Sequence, residues 1–256
     1  TSRNALFAQR SNLFRPSFYR MIADILRFNR EAPALLEGDD ETTTIGEYLA
    51  AGRYSQQFVE KYVVPMGAAI WSAQPEGRKE MPARFFVQFF HNHGMLNIKN
   101  RPTWRVIAGG SERYVERLVA GHYDRIRLRT PVRGIRRRPD GVEIHTDDSE
   151  PELFDQVFIA CHSDQALAML NDASPVEREV LGAIPYQENE AVLHTDHTVL
   201  PQRRLAWAAW NYHVLAQEQE RVALTYNMNI LQGLEAPVEF CVTLNNTRAI
   251  DPRKII

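Results

Sequence analysis

The residues best placed to do chemistry lie late in the chain. Trp207, Trp210, Asn211, Tyr212 and His213 fall in one predicted strand. Alternation sends Trp207, Ala209, Asn211 and His213 to one face, and Ala208, Trp210 and Tyr212 to the other. In a following run, Tyr226, Met228 and Ile230 alternate with Asn227 and Asn229. Aromatic rings with a few amides are the usual lining of a small-molecule pocket. Plain sheet packing would use the same residues, and the pattern leaves both readings open. Upstream, Gly109-Gly110-Ser111 follows a β-prone run and opens a helix, where free backbone N–H groups could hold a phosphate. The dinucleotide fingerprint G-x-G-x-x-G is absent from the chain, so a tight strand-to-helix turn is the simpler reading.

Other reactive side chains resolve into ordinary roles. His91 and His93 are two apart, do not share a helix face, and have no Asp, Glu or Cys beside them to complete a metal shell. His194 and His197 pose the same question more weakly. No metal site is expected, and His91 and His93 suit a helix C-terminus. Arg125, Arg127, Arg129, Arg133, Arg136, Arg137 and Arg138 form a basic stretch without interleaved aromatics. It reads as a solvated strand face rather than a nucleic-acid site. No Ser-His-Asp, Cys-His or paired-carboxylate set stands out, so no catalytic residue is assigned.

The whole-chain sums agree with a globular protein. The 256 residues carry 30 Lys and Arg against 32 Asp and Glu, a net charge of −2. That balance offers no general attraction to nucleic acid or an anionic membrane. Cys161 and Cys241 are the only cysteines and sit in separate apolar runs, so a disulfide framework is not expected and a reducing, cytoplasmic setting is. The uncharged run 62–75 contains Pro65 and is too short to span a bilayer. The polar, basic start does not read as a signal peptide.

The elements that must position these residues read as follows. Residues 16–30 have helical periodicity, and Thr44-Ile45-Gly46-Glu47 is a capping box. A helix follows Ser55 and is expected to stop before Pro65. Another starts near Pro82, runs through Phe85–Phe90 and exits at Gly94. Thr103–Ala108 and Ile126–Thr130 read as strands, with a helix on the Tyr114, Val115, Leu118 and Val119 stripe between them. Residues 132–137 and 142–146 flank Pro139-Asp140-Gly141 as a hairpin. Phe154–Cys161 reads as a strand buried on both faces, and a helix starts near Ser163. Residues 191–195, 205–213, 222–228 and 240–244 read as antiparallel strands. The fold class is α+β.

Residues 106–170 resemble the central stretch of flavin-containing amine oxidases, a superfamily that includes monoamine oxidases, protoporphyrinogen oxidases and phytoene desaturases. The shared elements come in order. A strand leads into Gly109-Gly110 and a helix. Ile126, Leu128, Val132 and Ile135 follow, then a hairpin, then Phe154, Asp155, Val157, Ile159 and Ala160. The flanks FFVQFFHNHGMLNIKNRPTWRVIAGGSERYV, VLHTDHTVLPQRRLAWAAWNY, LTYNMNILQGL and CVTLNN resemble a bacterial NAD/FAD-binding subfamily, often encoded beside cyclopropane-fatty-acid synthase-type genes.

The resemblance implies an α/β-type FAD/NAD(P)-binding superfamily fragment. Residues 1–105 would be the helical part of a substrate domain, 106–170 the middle of an FAD domain, and 171–256 the antiparallel sheet of the substrate domain. The family's N-terminal GxGxxG and C-terminal FAD segments have no counterpart here, so the chain reads as an internal piece. Such a piece is expected to bind FAD weakly and to be inactive alone.

By the resemblance, Val132, Ala160, Cys161 and His162 would contact FAD, with Cys161-His162 departing from the family's small residues. Arg113 aligns with a position lining the substrate cavity of monoamine oxidases, where the residue is a neutral amide. An Arg there disfavours a cationic amine. The Lys that many amine oxidases hold near the flavin cannot be placed in this sheet. With Arg113, the pocket candidates are Trp210, Asn211, Tyr226 and Asn229. The activity implied is FAD-dependent hydride removal from an apolar, lipid-like small molecule. The alternative is a lipid- or partner-binding module without turnover. No nucleic-acid partner and no transmembrane span are expected; peripheral membrane contact and oligomeric state are left open.

Overall fold

The structure is a computed structural model that describes residues 3–71, 80–98, 102–103, 105–147, 149–215 and 221–256. Two short turns, α1 (Arg3–Leu6) and a 3-10 turn (Arg10–Phe14), lead into α2 (Pro16–Glu31). Pro16 takes the first position of α2, where a missing N–H costs nothing. The capping box starts α3 (Ile45–Ala51). The Thr44 hydroxyl accepts from the Glu47 N–H at 3.2 Å, and the Glu47 carboxylate accepts from the Thr44 N–H at 2.9 Å.

Ser55 caps α4 (Gln56–Phe58), but the helix does not stop before Pro65. It continues through a π-turn (Val59–Val63) into α5 (Val64–Trp71). The physical reason is local. Proline has no N–H to give, and its ring collides with the carbonyl one turn back. The π-turn widens the spiral just before it, and the Val64 N–H donates to the Val59 carbonyl. Next comes α6 (Ala83–Asn92), which Pro82 precedes without a side-chain cap; Gly94 leaves it with φ +63°.

Phe28 holds these helices together. It is fully buried, and the rings of Tyr48, Tyr54, Phe58 and Phe86 surround it at centroid distances of 5.7–6.4 Å. One turn away, buried Asp24 accepts the Ser55 N–H at 2.9 Å and pairs with Arg27 at 3.2 Å. The Arg27 guanidinium lies 3.9 Å from the Tyr54 ring centroid, so the buried carboxylate has a cation and the cation has an aromatic face. A void of about 10 Å³ between Ile45, Leu49, Val63, Gly67, Trp71 and Phe86 is too small for a ligand.

The chain divides into two compact units, residues 1–106 with 189–256, and residues 107–188. The second unit carries α7 (Glu112–Val119) and an antiparallel sheet of β1 (Val132–Arg138), β2 (Gly141–Thr146) and β3 (Glu152–Phe154). It ends with α8 (Ser163–Met169) and α9 (Pro175–Gly182). The hairpin turns where the sequence predicts. Gly141 has φ +152°, and a Cβ there would collide with the Phe154 carbonyl.

The expected boundary at residue 170 falls inside this unit. The Asn171 N–H donates to the Ile135 carbonyl at 3.0 Å, and Arg137 binds Asp172 and Glu177. Hydrogen bonds from Arg137 first, and from Ser174 second, hold the Glu177 carboxyl down at about 2.

Among the described residues, three expected strands form only in part or not at all. Trp104 lies outside the described residues, and the described remainder of Thr103–Ala108 is not strand; neither is Ile126–Thr130. Of Phe154–Cys161 only Phe154 joins a ladder, and Phe158 is 93% exposed. A strand exists only where a neighbour accepts its hydrogen bonds, and among the described residues these runs, Phe154 apart, have no ladder partner. Four of the seven arginines from Arg125 to Arg138 are paired: Arg127 with Glu152, Arg133 with Asp147, Arg137 with Asp172 and Glu177, and Arg138 with Glu143.

The first unit also holds a four-stranded antiparallel sheet. Its strands are β4 (Ala191–His194), β5 (Trp210–Tyr212), β6 (Leu224–Asn227) and β7 (Cys241–Leu244), in the order β4-β7-β6-β5. Helix α10 (Met228–Gln232) follows β6. The expected strand 205–213 shortens to β5, because residues 204–206 form a 3-10 turn.

Replacing Phe28 with Ala removes the ring on which four others pack. The expected loss is about 3–5 kcal/mol of unfolding free energy, read from urea denaturation.

Candidate functional site

Cross-strand register sorts the four-stranded sheet into two chemically different faces. Trp210, Tyr226, Val242 and Leu193 lie in one row, and Tyr212, Leu224, Leu244 and Ala191 in the next. All eight are apolar or aromatic. Leu224 and Val222 pack on Ala68 and Ala69 of α5, whose small side chains let the helix approach. The Trp210 and Tyr226 rings meet edge-on at 5.7 Å, and Trp210 keeps 44% of its surface exposed. Burial pushes the Tyr226 hydroxyl up from its usual pKa, so it stays a neutral donor.

The opposite face is polar and closed. Asn211, Thr225, Thr243, Asn227 and His194 are all buried there. The Asp196 N–H donates to His194 Nδ1 at 3.0 Å, which makes that nitrogen an acceptor and places the ring proton on Nε2. His194 Nε2–H then donates to Thr243 Oγ1 at 2.7 Å, the Thr243 hydroxyl to Thr225 Oγ1 at 2.8 Å, and the Thr225 hydroxyl to His213 Nε2 at 2.8 Å. One backbone amide thus sets the direction of a chain crossing the sheet. Desolvation lowers the pKa of both histidines; for His194 the Asp196 charge opposes it.

Asp196 is itself buried. Desolvation would raise its pKa, but the Asp251 N–H, the Thr198 hydroxyl and N–H, and Lys254 together hold it far below the usual carboxylate range. Beside it, Ile256 N–H donates to the Leu193 carbonyl and Thr195 N–H to the Lys254 carbonyl, extending the edge at β4.

The expected pocket residues therefore divide. Trp210 and Tyr226 come together on the open apolar face. Asn211 does not join them: its side chain bonds the Ala208 N–H and carbonyl and the Thr225 carbonyl on the buried face. Asn229 is also structural, donating to the Val238 carbonyl and accepting from the Phe240 N–H. Both amides satisfy backbone groups, those of Ala208 and Thr225 for Asn211 and those of Val238 and Phe240 for Asn229. Leu193, Leu224 and Val242 complete the apolar face and were not singled out from sequence. Alternation in Ala223–Met228 and Cys241–Leu244 is the signal that could have found them, and it also separates Thr225 and Thr243 onto the other face.

Val132, Ala160, Cys161, His162 and Arg113 belong to the second unit. Val132 begins β1, half-buried, just before a register shift between Val132 and Gly134. Ala160, Cys161 and His162 are exposed. The Cys161 thiol donates to the His162 carbonyl at 3.4 Å, and the His162 ring stacks on Tyr186 at 4.4 Å. Tyr186 also accepts the Ser163 N–H at 2.8 Å, which occupies a free donor at the start of α8. These residues present an open surface rather than a cleft, and by themselves they do not fit an enclosed flavin. Arg113 is exposed and lies 3.8 Å from Glu116.

Among the described residues no group of three or more His, Cys, Asp or Glu is placed to hold a metal. His93 Nδ1 bonds the Phe89 carbonyl at 2.8 Å, at the end of α6. No helix among the described residues is long and apolar enough to cross a membrane.

Comparison with known proteins follows the same lines. The profile of the family described as flavin containing amine oxidoreductase matches residues 23–203, well over half of the chain. The fold is similar to a putrescine oxidase solved with putrescine bound, with TM-score 0.59 and 12% identity over 88% of this chain and 51% of that one. A triple mutant of putrescine oxidase gives TM-score 0.62 and 11% identity over 93% and 56%. The CLA-producing fatty acid isomerase from P. acnes gives 0.54 and 15% over 91% and 54%. The chain thus spans about half the length of the solved structures it matches. No curated protein sequence matches it.

Replacing Thr243 with Val strands the His194 Nε2 proton and removes the donor to Thr225 Oγ1. The expected cost is about 1–3 kcal/mol in urea denaturation. The two histidines also set a pH dependence. Their folded pKa values lie below the unfolded value of ~6.5, so the unfolded state binds more protons. Stability is full above that value and falls as pH drops through it. Nitrogen-15 NMR at neutral pH should find both rings neutral, with the proton on Nε2 of His194 and on Nδ1 of His213.

Proposed function

Because the chain belongs to the flavin containing amine oxidoreductase family, we propose that it forms part of an FAD-dependent oxidoreductase acting on an apolar, lipid-like small molecule. The observation that supports this reading is the uncharged face built by Trp210, Tyr226, Leu193, Val242 and their neighbours. The fold relatives are described as acting on molecules as different as putrescine and a fatty acid, so fold does not choose the substrate. The chemistry of the wall supports an apolar one. It has no carboxylate to match a cationic amine, and its only polar atoms are two phenol oxygens and the indole N–H.

FAD, held by the whole protein, would supply the hydride-accepting chemistry. This chain's own contribution is a dry apolar wall and, through Tyr226, one neutral hydrogen-bond donor. Val132 and residues Ala160, Cys161 and His162 would form one flank of the cofactor site in the whole protein, which would act in the cytoplasm. Arg113 would orient an anionic head group. The chain by itself would bind FAD weakly and be inactive, since its cofactor-flank residues lie on an open surface.

The deciding experiment is a visible absorption spectrum of the full-length gene product, purified without added cofactor. Flavin bands that bleach with an unsaturated fatty acid or phospholipid are the expected result. A colourless protein that also refuses added FAD would instead favour a binding module without turnover. Trp210→Ala in the active full-length enzyme should raise KM for such a substrate about ten-fold with kcat little changed, because it removes apolar contact common to ground and transition states. Arg113→Ala should raise KM only for substrates with an anionic head group; unchanged kinetics would remove Arg113 from the site.

A further inference from the structure

The charge of this chain is balanced overall, but its leading segment is basic. Residues 3–30 contain six Arg and a single acid, Asp24, which is buried and already paired with Arg27. The same segment exposes large apolar side chains. Phe14, at the end of the 3-10 turn, is 86% exposed, and Leu13 and Tyr19 are each more than 40% exposed. Arg10, Arg15 and Arg20 are exposed beside them. Among the described residues neither Arg15 nor Arg20 makes an ion pair.

The tip is built to present these groups. Phe7 packs on Phe18 at 5.5 Å and on Tyr19 at 6.1 Å, folding the leading turns back on α2. The Tyr19 hydroxyl donates to the Leu13 carbonyl at 3.0 Å and holds the turn from the side. A protein that leaves Phe14 in water while spending two aromatic contacts to fix its backbone has something for Phe14 to enter. We propose that this tip docks on an anionic lipid surface, with Phe14 and Leu13 entering the headgroup boundary and Arg10, Arg15 and Arg20 meeting lipid phosphates.

The observations favour lipid over nucleic acid. Leu13 is aliphatic and offers no stacking plane to a base, whereas an aliphatic beside an aromatic suits the acyl boundary. Tyr19, with an apolar ring and a polar end, is of the type enriched at membrane interfaces. The long arginine stems can lie along apolar surface while their heads reach phosphate. The inference does not depend on the proposed activity, because vesicle binding is read without flavin or turnover.

The test is co-sedimentation of the full chain with two kinds of vesicle, phosphatidylcholine alone and phosphatidylcholine with about one-third phosphatidylglycerol. Binding should occur on the anionic vesicles and fall as salt is raised. Each arginine near such a surface is worth about five-fold in affinity, so R15E/R20E should weaken binding by about 25-fold or more. Phe14→Ser should weaken it about ten-fold, and since Phe14 is exposed its thermal unfolding should match wild type. Equal binding to neutral and anionic vesicles, or anionic binding indifferent to R15E/R20E and to Phe14→Ser, overturns the proposal. So does absence of vesicle binding alongside R15E/R20E-sensitive binding to a single-stranded oligonucleotide.

Discussion

A one-residue slip between any two strands of the β4-β7-β6-β5 sheet would exchange its faces, sending threonines into the apolar layer and a tryptophan into the polar one. The hydrogen-bonded run from His194 through Thr243 and Thr225 to His213 forbids that slip. Thr225 and Thr243 stand directly across, while His194 and His213 reach them diagonally along the same face; a buried hydroxyl or ring nitrogen that a slip left without its partner is expensive. The run therefore does more than fill the inner face. By fixing register, it delivers Trp210 and Tyr226 together to the other side, where Tyr226 packs on the cluster formed with α5 and Trp210 stays partly open. The open apolar wall is a consequence of what lies behind it.

The helices depend on a different kind of constraint. Phe28 holds α2 against α3, α4 and α6 by ring contacts, and these have no required register. Direction comes instead from the caps at Thr44 and Ser55, which set where each helix starts. Pro65 then forces the π-turn, and the helix carries on to bring Ala68 and Ala69 to Leu224. A residue that breaks most helices is used here with one wider turn, so an uncharged helix backs the sheet.

Legibility followed the range of the interaction. The capping box at Thr44, the hairpin at Pro139-Asp140-Gly141, and the helices near residues 16–31 and 83–92 are local agreements between neighbours, and they stand where the pattern put them. Ile126–Thr130 and Phe154–Cys161 have strand-like composition but form little or no strand, because composition cannot supply the neighbouring strand that a ladder needs. The candidate pocket was half legible. Alternation correctly put Asn211 and Trp210 on opposite faces, but residue type alone could not show that Asn211 and Asn229 spend their amides on backbone groups.

By itself, then, the sequence determined the amphipathic helices, their caps, the tight turns and the alternation that makes each strand two-faced, since all of these are decided within a few residues. It also carried the ordered pattern by which the family is known. Only the tertiary structure decided which face of the sheet is closed, which runs become strands, and which aromatic residues meet. Those outcomes depend on hydrogen-bond partners and apolar neighbours drawn from distant parts of the chain, as Thr225 and Thr243 are from His194, and Leu224 from Ala68.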